Sequence, residues 1–121
     1  MNLQRSGKFY DAVLGALGYG RVFENARTIG YAPRGERDDL FAIRQDEQSR
    51  PACSARFHLA FKAQSRDAVT QFYESAITNG ATPDGEPGLH PEYGSGYFAA
   101  FVIDPDGYRI EAVLHELFSH E

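Results

Sequence analysis

Apolar and polar positions alternate along this chain with two different periods, and each change of period marks an element. Over residues 3–17, Phe9, Tyr10, Val13 and Leu14 recur at helical spacing, Gly18 supplies a stop, and Asn2 is placed to cap the first turn. Three short β-rich runs follow, at 21–25, 28–32 and, past the loop Pro33-Arg34-Gly35, at 40–44. Residues 45–51 are polar and aperiodic and read as a linker. Alternation restarts at 54–62, where Phe57, Leu59 and Phe61 face one way and Arg56, His58, Ala60 and Lys62 the other. A second helix is expected over 66–79, with Val69, Phe72, Tyr73, Ala76 and Ile77 on its apolar face. Ser65 is its N-cap, Asp67 suits its first turn, and Gly80 ends it. The Gly/Pro-rich stretch 81–96 leaves room for one short strand. Residues 97–103 and 108–114 are two strands joined by Asp104-Pro105-Asp106-Gly107, so they form a hairpin.

The two halves repeat. Phe9-Tyr10-Asp11 matches Phe72-Tyr73-Glu74 at an offset of 63, Val13-Leu14 matches Ala76-Ile77, and each helix ends in glycine and precedes three strand candidates. The unit is strand, helix, strand, strand, strand. At the same offset the equivalent of His58 would precede Met1, so the first copy is expected to lack its opening strand, either because the sequence begins late or because the first module folds incomplete.

Composition narrows the function classes. Twelve Lys+Arg against 17 Asp+Glu give a net charge of −5, and 42% of residues are hydrophobic. That suits one domain, residues 1–121, in modules at about 1–47 and 52–121, able to bury roughly two-thirds of its unfolded surface. No window approaches the roughly 18 apolar residues of a membrane span, and the first residues lack the apolar core of a secretory signal. One cysteine, Cys53, can form neither an internal disulfide nor a thiolate metal cluster. An acidic balance without a basic run argues against nucleic acid as a partner. A cytoplasmic domain acting on a small molecule or a protein is expected, with a homodimer as the default assembly.

Three segments carry a resemblance. Phe9-Tyr10-Asp11-Ala12-Val13-Leu14-Gly15, Phe57-His58-Leu59-Ala60-Phe61, and the closing run Phe101 to Glu111 through Asp104-Pro105-Asp106-Gly107 resemble the vicinal oxygen chelate superfamily. That superfamily includes glyoxalase I, bleomycin-resistance proteins and extradiol dioxygenases. The resemblance implies an α+β fold of paired βαβββ modules, a cupped mixed sheet with the helices outside. In metal-dependent members four ligands come from the first and fourth strands of each module. Here it implies His58 and Glu111 as metal ligands, Glu111 doubling as the catalytic group. Imidazole plus carboxylate suits Fe, Mn, Ni or Zn. In the first module the same alignment puts Phe41 in the place of Glu111, and phenylalanine cannot ligate.

The residues alone leave plainer readings open. Glu111 would equally pair with Arg109, and His58 would equally be a hydrogen-bonded strand histidine. His115 shares an alternation face with Glu111 but reads as a strand end, and His120 as part of a tail. His90 and Tyr93, in the loop before the hairpin, are candidate ligand contacts with Phe41, since such loops carry function. Two functions compete. One is a divalent-metal-dependent lyase, isomerase or dioxygenase acting on vicinal oxygens. The other is a metal-free protein of the bleomycin-resistance type that sequesters an aromatic or cationic small molecule.

Overall fold

The computed structural model describes residues 2–45 and 58–116, the side chain of His58 excepted. Helix α1 (Leu3–Gly15) starts at Asn2, whose side-chain oxygen accepts the Arg5 N–H at 3.1 Å. Helix α2 (Arg66–Thr78) starts at Ser65, whose Oγ accepts the Ala68 N–H at 3.0 Å. Each cap satisfies an N–H that the first helical turn leaves without an internal partner. Both helices stop close to the expected glycines, and Leu17 stays buried in the turn beyond α1.

The seven described strands form two sheets. In the first, β1 (Tyr19–Glu24), β2 (Thr28–Pro33) and β3 (Phe41–Arg44) pair antiparallel in chain order. In the second, β4 (His58–Lys62), β5 (Thr82–Leu89), β6 (Tyr97–Ile103) and β7 (Arg109–His115) lie in the order β4-β7-β6-β5. Only β4 and β7 run parallel there, which makes this sheet mixed; α2 lies in the crossover that a parallel pair requires. The mixed α+β architecture read from the sequence is present. The upstream part of the expected 54–62 strand, residues 54–57, lies outside the described residues.

One expectation changes. The stretch 81–96 holds an eight-residue strand, β5, followed by a single 3-10 turn at Pro91–Tyr93, rather than one short strand. Its two prolines and two glycines conceal it because β5 is an edge strand. Register shifts between Pro83 and Gly85 and between Gly85 and Gly88 absorb them, and proline is tolerated at edges and bulges.

A single apolar cluster joins both modules. It takes Phe9, Val13 and Leu14 from α1, Val69, Phe72 and Ala76 from α2, and strand residues from both sheets. Each large member stabilises the fold by about 1.5–3 kcal/mol. In the second sheet the helix-facing set is Leu59, Phe61, Ala100, Val102, Ile110 and Ala112, which the register places side by side. The opposite face therefore carries Tyr97, Ala99 and Phe101 from β6 with Glu111, Val113 and His115 from β7.

The hairpin turn locks the modules together. Asp104 Oδ1 accepts the N–H groups of Asp106 and Tyr108, each at 2.9 Å. Its Oδ2 accepts the Tyr10 hydroxyl of α1 at 2.5 Å. Asp106 accepts Ser6 Oγ and Arg5 Nη2, both at 2.8 Å. Burial pushes the Asp104 carboxyl above the usual carboxylate range, while these hydrogen bonds pull the other way. The Tyr10 phenol is held far above its ordinary range, first by burial and then by the Asp104 charge.

Candidate functional site

Folding the β6–β7 hairpin about its turn pairs Ile103 with Arg109, and so Phe101 with Glu111 and Tyr97 with His115. Glu111 consequently stands on the face turned away from α2, only 2% exposed. A carboxylate this deep needs partners. Tyr97, on the same face of β6, donates its hydroxyl to Glu111 Oε2 at 2.6 Å. Burial, and then this bond to Glu111, raise the Tyr97 phenol above its ordinary range.

Aromatic rings extend from this pair. Tyr97 meets Tyr93 with ring centroids 5.3 Å apart and His115 edge-on at 5.0 Å. Tyr93 and His90 both lie against Phe101, at 6.1 and 5.1 Å. Gly85 on β5 is what lets Phe101 lie there. A Cβ at that position would sit 2.8 Å from Phe101 Cδ1, closer than packed atoms approach. A cleft of about 330 Å³ opens beside these rings, with Asp84, Glu92 and Arg109 among its lining. Arg109 Nη1 donates to Asp84 Oδ2 at 3.2 Å across it. Tyr97 is thus a described hydrogen-bond donor to Glu111, and Asp84 the described ion-pair partner of Arg109.

Of the residues singled out from the sequence, the structure brings His90, Tyr93 and Glu111 to this one face. Phe41 is elsewhere. It pairs with Tyr31 in β2–β3 and packs among Tyr10, Tyr31 and Phe61, on the helix side. Phe41 therefore stands on the helix side of its sheet, whereas Glu111 stands on the face of its sheet turned away from α2, and Ala42 lies on the face opposite to that of Phe41. Strand side chains alternate, so a one-residue slip exchanges the faces. Phe41 instead lines a second cavity of about 230 Å³ with Tyr10, Leu59 and Asp104. There Tyr10 and Asp104 already satisfy each other. Sequence reasoning passed over Tyr97, Phe101 and Asp84 as site residues, and named Arg109 only as a partner for Glu111. Counting back from the hairpin turn would have found Phe101 opposite Glu111 and Tyr97 on the same face four residues before Phe101.

A resident divalent ion can be tested against these donors. Ala60 lies opposite Glu111 on β4 and Phe101 opposite it on β6, with Val113 next on the same face. None of these can ligate. The His58 backbone pairs with Arg109, two positions from the Ala60–Glu111 pair. In the first module neither Phe41 nor Ala42 has a side chain that can ligate. Among the described residues, no group of three or more His, Cys, Asp or Glu side chains is placed to hold a metal. The side chain of His58, the other expected ligand, lies outside the described residues. No helix among the described residues is long and apolar enough to cross a membrane.

Comparison with known proteins agrees with this architecture. A glyoxalase/bleomycin resistance protein from Albidiferax ferrireducens T118 is 34% identical, with 94% of this chain and 91% of that chain covered and a TM-score of 0.80. A glyoxalase-related enzyme from Fulvimarina pelagi is 23% identical over 93% of this chain and 80% of that one, TM-score 0.67. The fosfomycin resistance protein FosX from Mesorhizobium loti shares the fold at 20% identity, over 96% and 85% of the two chains, TM-score 0.66. A search of the curated proteins finds no match. The sequence model of one family spans residues 1–112, and the chain accordingly belongs to the glyoxalase/bleomycin resistance protein/dioxygenase superfamily.

Proposed function

We propose that this chain binds a small aromatic cation on the face of the second sheet turned away from α2, and that it does so without a resident metal. The observation that carries this reading is Glu111, a carboxylate 2% exposed on a face that also carries the rings of Tyr97, Phe101 and His115. Aromatic faces attract cations through their quadrupole, the more so where water is excluded. The formal charges lining the cleft point the same way, Asp84 and Glu92 against Arg109, and Glu111 pairs across the strands with Phe101 of its wall. Tyr97 orients the Glu111 carboxylate, while Tyr93, Phe101 and His90 supply the walls. In this reading Glu111 is an electrostatic anchor and not a catalytic base, and the protein sequesters its ligand.

Thermal-shift and calorimetric titrations test it with phenyltrimethylammonium, neutral benzyl alcohol, and Mn, Ni or Zn chloride added separately. The expected result is stabilisation by the organic cation, a weaker response to the alcohol, and about tenfold loss of cation affinity in Glu111→Gln. Tight stoichiometric binding of a divalent ion, with no response to the organic cation, would sink the proposal and support a metal-dependent site at His58 and Glu111.

A further inference from the structure

His90 is fixed at the exit of β5 by its own backbone. Its N–H donates to the Tyr97 carbonyl at 2.8 Å, and its carbonyl accepts the Tyr93 N–H at 3.0 Å. Its ring stands edge-on to Phe101, at 85° and 5.1 Å, and lines the cleft. Nδ1 faces Glu92 Oε2 at 3.4 Å. Nε2 is buried and has no hydrogen-bond partner among the described residues. Buried polar atoms are nearly always paired, so an orphan on a cleft-lining residue calls for a partner, and a bound ligand is one that the cleft can supply. A carboxylate beside Nδ1 favours the tautomer with the proton there, which leaves Nε2 a lone pair. A donor is what satisfies it. The cleft's formal charge, Asp84 and Glu92 against the one Arg109, favours a donor that is also positive.

We propose that His90 Nε2 accepts a hydrogen bond from an N–H of the bound cation, so that the cleft selects protonated nitrogen bases such as amidinium or primary ammonium groups over quaternary ammonium ions. The idea rests on the cation-binding reading above and names its ligand class more closely.

Isothermal titration of the full chain with benzamidine and with phenyltrimethylammonium tests both levels. Both probes are aromatic monocations, and only benzamidine has N–H groups. The wild type is expected to bind benzamidine about tenfold or more tightly than phenyltrimethylammonium. His90→Phe keeps an aromatic wall without the acceptor and is expected to narrow that gap to less than about threefold. His90→Gln, which restores an acceptor oxygen, is expected to recover part of it. Equal binding of the two probes by the wild type, or an undiminished preference in a folded His90→Phe variant, would overturn the role of His90 while leaving cation binding standing. Failure of the wild type to bind either probe would overturn cation binding itself, and this inference with it.

Discussion

Replacing Tyr10 by phenylalanine removes one oxygen from the bond that ties α1 to the closing hairpin. Tyr10 is 3% exposed and Asp104 4%, so water cannot take the place of the lost donor. A hydrogen bond to a charged group contributes about 1.5–3 kcal/mol. Asp104 keeps two backbone N–H donors at 2.9 Å, so its charge is not wholly abandoned. The expected loss is therefore about 2 kcal/mol at neutral pH. With a urea slope of about 2 kcal/mol per molar, the unfolding midpoint should fall by about 1 M. The penalty should also shrink in acid. Burial already raises the Asp104 carboxyl above its ordinary range, and once it is protonated the phenol faces a neutral group. Urea unfolding of wild type and Tyr10→Phe near pH 7 and at about pH 4 measures both effects. A loss below about 0.5 kcal/mol near pH 7, or an equal loss at both pH values, would refute the argument. A cycle with Asp104→Asn would then show no coupling between the two side chains.

The same carboxyl sets a pH dependence. With its native value above the unfolded one, the native state binds the extra proton, so the contribution of Asp104 to stability falls as pH rises through that window. Asp104→Asn should flatten this slope in unfolding curves taken across mildly acidic pH, and an unchanged slope would assign it to other groups. Gly85→Ala should destabilise by about 1–3 kcal/mol through its clash with Phe101. It should also weaken phenyltrimethylammonium binding by displacing that ring; a variant as stable and as tight as wild type would mean that the close approach matters little.

Much of the fold was legible because hydrophobic period and turn chemistry are local. Asn2 and Ser65 cap where capping rules place them, and Asp104-Pro105-Asp106-Gly107 reverses the chain as its residue types require. The alternation around His58 identified β4, and the turn chemistry identified the hairpin whose second strand carries Glu111. The edge strand β5 was obscured because its prolines and glycines satisfy bulges, and bulges depend on a partner strand that a local window does not contain.

What the sequence by itself determined was the order and type of the elements, their duplication, and the family to which they belong. Those features follow from periodicity and caps, which act within a few residues. Tertiary structure alone decided which face each side chain joins. A strand has a period of two, so Phe41 and Ala42 exchange roles with a single slip of register, and only packing against α1 fixes the register. It also brought Tyr97 to Glu111, Tyr10 to Asp104 and His90 to Phe101. The Tyr10 pair is separated by 94 positions. Side-chain contacts of that kind depend on where whole elements come to rest, and no local pattern in the chain encodes them.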